Sequence, residues 1–98
     1  MKVLIVDDEE MMVELLSRAL RKEGHVVEVA RDGMQAYVKG VDRPYDAIVL
    51  DIVMPGKNGL DVCRDLRLAK VRTPILMLSS MKSEQDRVKG LDLSLIHI

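Results

Sequence analysis

Cysteine is almost absent. Cys63 stands alone among 98 residues, which rules out an internal disulfide and agrees with a reducing compartment. On an apolar helical face it reads as a small core residue. Net charge is almost absent too. The 15 basic residues against 16 acidic ones leave −1, too little to capture nucleic acid or an anionic membrane surface by bulk charge. The two histidines, His25 and His97, lack other metal-ligating residues at useful spacing, which argues against a zinc-type site. No apolar run is long enough to span a bilayer. The opening Met1-Lys2-Val3-Leu4-Ile5-Val6 has neither the length nor the cleavage site of a secretory signal. A cytoplasmic location is the expectation, with neither nucleic acid nor membrane contacted by this domain.

What is present is an alternation. At 98 residues, 48% hydrophobic and 32% charged, the chain suits one globular domain. Lys2–Val6 is a short apolar run stopped by Asp7-Asp8-Glu9-Glu10, as expected of a strand buried on both faces. From Met12 to Lys22, Met12, Val13, Leu16, Ala19 and Leu20 recur at helical spacing, and Gly24 supplies the stop. Val26–Ala30 reads as a second strand, and Asp32-Gly33 opens a second helix running to about Lys39. Ala47–Leu50 is a third strand ending on Asp51. Pro55-Gly56-Lys57-Asn58-Gly59 is a dense turn signal, and a third helix follows with Leu60, Cys63, Leu66 and Leu68 on its apolar side. Ile75–Leu78 is a fourth strand ending at Ser79-Ser80, and Lys82 to about Leu91 is helix-like. Lys82, Arg87 and Lys89 in that stretch read as a solvated face.

Four strand–helix alternations with short connections predict a doubly wound parallel sheet with helices on both faces. In such sheets function collects beyond the carboxyl ends of the strands, where the strand order switches. Asp7, Asp8, Asp51 and Ser79 fall there. With the flavodoxin-like order 2-1-3-4, strands one and three are neighbours and the three carboxylates converge. Like charges about 4 Å apart repel by roughly 4 kcal/mol at an effective dielectric of about 20, so protonation or a cation must relieve the cluster. Carboxylate oxygens without His or Cys favour Mg²⁺, which can bridge to a phosphoryl group while an Asp acts as nucleophile. Each piece alone has a plainer reading. The acid pair, Asp51 and Ser79-Ser80 could all be helix or turn caps.

The segments Val6-Asp7-Asp8-Glu9, Leu50-Asp51-Ile52-Val53-Met54-Pro55-Gly56, Gly59 and Pro74-Ile75-Leu76-Met77-Leu78-Ser79 together resemble the receiver domain of two-component response regulators. The resemblance runs in register from residue 2 to about 93. It implies that Asp51 is the phosphoacceptor and Asp8 a direct Mg²⁺ ligand. Asp7 then reaches the metal mainly through water, and the backbone carbonyl of Val53 completes the protein ligands. By the same resemblance Ser79 is the switch hydroxyl that contacts the phosphoryl group, and the donor is the phosphohistidine of a sensor histidine kinase. The resemblance thus implies a phosphoacceptor module rather than a classical enzyme.

After Leu93 the resemblance stops. The family continues with a fifth strand bearing an aromatic switch residue and a Lys-Pro pair, then a fifth helix, roughly 20–25 residues by ordinary element lengths. Here Ser94-Leu95-Ile96-His97-Ile98 follows, none of the three prolines has a lysine before it, and neither Tyr37 nor Tyr45 matches the aromatic position. The expectation is therefore a C-terminally truncated receiver over 1–93 with a non-matching tail over 94–98, its fifth strand and fifth helix missing. Strand four then becomes an exposed edge that invites self-association, and phosphotransfer is impaired or lost. Two rivals share the sheet. A Mg²⁺-dependent phosphohydrolase wants a second Asp two residues beyond its nucleophile, where Val53 stands. A flavin or nucleotide binder wants a phosphate-cradling loop where Asp7-Asp8-Glu9-Glu10 stands.

Overall fold

A computed structural model describes residues 1–54, 57–80 and 93–97, with the side chains of 79–80 and 93–97 left undescribed. The element order is β1 (Lys2–Val6), α1 (Glu10–Lys22), β2 (Val26–Ala30), α2 (Gly33–Asp42), β3 (Ala47–Asp51), α3 (Gly59–Leu68), β4 (Ile75–Ser80) and β5 (Leu93–His97). The expected helix over Lys82–Leu91, with its basic residues, and the Pro55-Gly56 turn lie outside the described residues.

Strand order is β2-β1-β3-β4-β5. The first four strands run parallel in the expected 2-1-3-4 order, with Val6 level with Ala30 and Leu50, and Asp51 level with Leu78. β1 is the apolar centre because both of its faces are covered. Leu4 and Val6 join Ile48, Leu50, Ile75 and Met77 under Ala36 of α2 and Val62, Cys63 and Leu66 of α3. Val3 and Ile5 face the other way, with Val27, against Leu16 and Leu20 of α1. The period-two alternation of strand side chains separates these two cores.

The fifth strand corrects one expectation. β4 is not an edge: Leu93–His97 lies beside it antiparallel, with Leu78 opposite Leu95 and Ser79 opposite Ser94. The physical reason is that an outer strand offers a row of unpaired backbone groups, which an apolar segment carrying a β-branched residue can satisfy. The strand is not the parallel fifth strand of the family, and the parallel part of the sheet stays four-stranded.

Helix boundaries follow local chemistry. α1 ends where Gly24 adopts φ +90°, with the Gly24 and His25 N–H groups donating to Arg21 and Leu20 carbonyls. Asp32 caps α2 by accepting from Gln35 N–H at 2.8 Å, and Asn58 caps α3 by accepting from Asp61 N–H at 2.9 Å. α2 runs on to Asp42, past the expected end at Lys39. The buried side of α3 is Val62, Cys63 and Leu66, whereas Leu60 and Leu68 are exposed. At the outer strand β2, the Lys39 ammonium reaches across from α2 and donates to the Val29 carbonyl at 2.8 Å.

Candidate functional site

The parallel register places the ends of β1 and β3 side by side, and both strands finish in acid. Asp7 and Asp51 are only 4% and 3% exposed, while Asp8 faces solvent. Carboxylate oxygens of the three residues all lie within 4.8 Å of one another. Asp7 is fixed by backbone bonds on two sides. Its N–H donates to the Ala30 carbonyl at 3.1 Å, and its Oδ1 accepts from Glu9 N–H at 2.9 Å. α1 begins at Glu10, so the positive end of its dipole lies immediately after the acid pair.

The segment after Asp51 is folded back tightly. Val53 N–H donates to Asp51 Oδ1 at 3.3 Å, and Ile52 N–H donates to the Leu78 carbonyl at 3.1 Å. Gly59 N–H returns to the Ile52 carbonyl at 2.8 Å. A Cβ at Gly59 would collide with the Asp51 carbonyl oxygen and lie 2.9 Å from Ile52 Cα, so α3 can start this close to Asp51 only with glycine there. Met54 is buried in the core under α2 and α3, which anchors the segment, while the neighbouring Val53 is 49% exposed.

Asp7, Asp8 and Asp51 are thus brought together as expected. Ser79 is placed at backbone level just beyond Leu78, the register partner of Asp51. Its side chain lies outside the described residues. The sequence reading missed two features around the site. Arg31, just past β2, pairs with Glu10 at the start of α1. Lys57 pairs with Asp65 and lies 5.7 Å from the centre of the Tyr37 ring. Neither has a local signal, because the partners come from separate elements.

A second polar cluster lies toward the opposite end of the sheet. Glu28 accepts from Arg43 at 2.6 Å and from Tyr45 Oη at 3.1 Å, and pairs with Lys2 at 3.1 Å. Lys2 N–H donates in turn to Asp46 Oδ2 at 2.7 Å. The bond from Lys2, helped by Tyr45 and Arg43, holds Glu28 below the usual carboxylate range against the opposing effect of burial. Burial first, and then the bond to Glu28, pushes the Tyr45 phenol up to about 12.

The sequence profile described as the response regulator receiver domain matches residues 3–97. The chain belongs to the response regulator receiver-domain family. This receiver is 45% identical over 91 residues to the transcriptional regulatory protein TcrA of Mycobacterium tuberculosis, covering 93% of this chain and 36% of TcrA. It is 43% identical over 93 residues to the transcriptional regulatory protein CusR of Escherichia coli, covering 95% of this chain and 41% of CusR. The receiver therefore spans well under half the length of these relatives. Among solved structures it resembles the response regulator TrrA of Thermotoga maritima in complex with Mg²⁺ and BeF. The TM-score is 0.77 at 35% identity, over 91% of this chain and 76% of that one. It also resembles the receiver domain of the sensor histidine kinase PA1611 of Pseudomonas aeruginosa, solved with a magnesium ion in its active-site cleft. There the TM-score is 0.79 at 29% identity, over 89% of this chain and 73% of that one. Among the described residues of this receiver, no helix is long and apolar enough to cross a membrane.

Proposed function

We propose that this receiver accepts a phosphoryl group on Asp51 from the phosphohistidine of a sensor histidine kinase, with Mg²⁺ at the acid cluster. The observation that carries the reading is the convergence of three carboxylates from adjacent strand ends within 4.8 Å, with Asp51 on its floor. Three hard oxygen donors without histidine or cysteine fit Mg²⁺ better than a softer ion. Asp7, Asp8 and Asp51 would hold it, with the Val53 carbonyl as a further ligand. Bound there, Mg²⁺ supplies charge neutralisation for the phosphoryl oxygens.

The chain's own part is positioning. An oxygen of Asp51 forms the new bond to phosphorus as the P–N bond of phosphohistidine breaks and the histidine leaves as imidazole. The bond from Val53 N–H to Asp51 Oδ1 helps to orient the carboxylate for attack. Ser79, at the end of β4, would contact the transferred group through its hydroxyl.

The test is intact-mass measurement after incubation with Mg²⁺ and a small acyl-phosphate donor. Wild type should gain the mass of one phosphoryl group, and Asp51→Asn should gain none. Equal labelling of the variant, or no labelling of wild type, would sink the proposal.

A further inference from the structure

We infer that Lys57 is a positioning residue for the metal and phosphoryl site, acting through the β3–α3 loop rather than by touching either group. The inference rests on reading the acid cluster as a Mg²⁺ site, and it concerns how the chain holds that site in shape.

The loop between Asp51 and Gly59 carries Val53, the proposed carbonyl ligand. Its two ends are stitched to each other by the bond from Gly59 N–H to the Ile52 carbonyl at 2.8 Å. That stitch fixes where the loop starts and finishes but not how it leans. Lean is set by contacts outside the loop. Met54 supplies one by burial in the core beneath α2 and α3.

Lys57 supplies the other, and it is held from two helices at once. From α2, the first residue, Gly33, approaches so closely that an added Cβ would stand 2.6 Å from the Lys57 carbonyl oxygen and 2.7 Å from its Cβ. One turn on, the Tyr37 ring lies 5.7 Å from the Lys57 ammonium, within cation–π range. From α3, Asp65 forms an ion pair with the same ammonium. Met54 meets the two helices through apolar packing, and Lys57 joins them through charge.

The energetics favour a geometric role over a stabilising one. The Lys57 and Asp65 side chains are 38% and 24% exposed. A partly wet pair of this kind contributes little to global stability, on the order of 1 kcal/mol or less. A metal carbonyl ligand, by contrast, must sit within a few tenths of an ångström, so loosening the loop should register in metal affinity before it registers in folding.

The experiment compares wild type, Lys57→Met and Lys57→Arg by Mg²⁺ titration calorimetry, alongside thermal unfolding in EDTA. Methionine keeps the apolar stem and removes the ammonium; arginine restores a cation able to face both Tyr37 and Asp65. Lys57→Met should weaken Mg²⁺ binding on the order of tenfold, the low end for groups that orient a metal ligand, with little change in metal-free melting. Lys57→Arg should recover most of the affinity. Asp65→Asn, which leaves Lys57 in place without its partner, should weaken binding in the same direction and guards against misfolding of the first variant. Wild-type affinity in both Lys57→Met and Asp65→Asn overturns the positioning role and leaves the metal site standing. Absence of Mg²⁺ binding in wild type overturns both.

Discussion

The two ends of the sheet handle charge in opposite ways. At the carboxyl end, acids are gathered with acids: Asp7, Asp8 and Asp51 bring their oxygens within 4.8 Å of one another. Toward the amino end, an acid is gathered with cations and a phenol: Glu28 meets Lys2, Arg43 and Tyr45. The second cluster ties β1, β2 and the start of β3 together. The first gathers like charges at the ends of strands that apolar packing already joins. The difference teaches where to look for function in a fold whose core is ordinary, since packing alone gives no reason to bring like charges together.

The largest effect belongs to the amino end. Tyr45→Ala removes a buried ring and should cost about 3–5 kcal/mol, read as a drop in unfolding midpoint. If that end is purely structural, Mg²⁺ affinity of the folded variant stays at the wild-type level. A matching loss of affinity would break the comparison.

The sharper test is the response to metal. Asp51→Asn removes one of the three clustered carboxylates, so added Mg²⁺ should raise its melting temperature far less than it raises that of wild type. Glu28→Gln removes a charge from among cations and should lower metal-free stability by about 1 kcal/mol or somewhat less, because the pairs are partly exposed. It should leave the Mg²⁺ response at the wild-type level. Both are measured by thermal unfolding with Mg²⁺ and in EDTA, and equal metal responses in the two variants would mean that the two ends are not different in kind.

The smallest effects are read with pH. Glu28 is held below the usual carboxylate range, so its contribution is present above the unfolded value of 4.5 and is lost as pH falls through the lower folded value. Tyr45 runs the other way. Its phenol is raised from 10.0 to about 12, so its contribution is complete below 10.0 and disappears as pH rises toward 12. Ultraviolet titration of tyrosinate should find the Tyr45 midpoint well above 10.0 in wild type. In Glu28→Gln it should come down partway only, because burial is the larger cause.

The carboxyl end was legible in the sequence and the amino end was not, for a physical reason. Each acid of the site follows directly on an apolar run, so finding the strands finds the acids. Lys2, Glu28, Arg43 and Tyr45 come from separate segments, and nothing local to any of them announces the others. Lys57 was read only as part of a turn for the same reason. On α3 the apolar residues outnumber the positions that face the core, so periodicity alone could not tell that Val62 goes in while Leu60 and Leu68 stay out. The parallel direction of the first four strands followed from their short connections, whereas the 2-1-3-4 order was taken from flavodoxin-like sheets. β5 escaped because a segment judged only against the expected parallel strand had no reason to be considered as an antiparallel one.

The bond from Lys39 to the Val29 carbonyl has a consequence for growth of the sheet. Among the described residues β2 has β1 on one side and no strand on the other, the arrangement that lets one protein template the next. One of the carbonyls that a newcomer would need is already taken by an ammonium. A strand arriving there must first evict a charge and then settle beside it. A single lysine thereby makes that side of the sheet a poorer template.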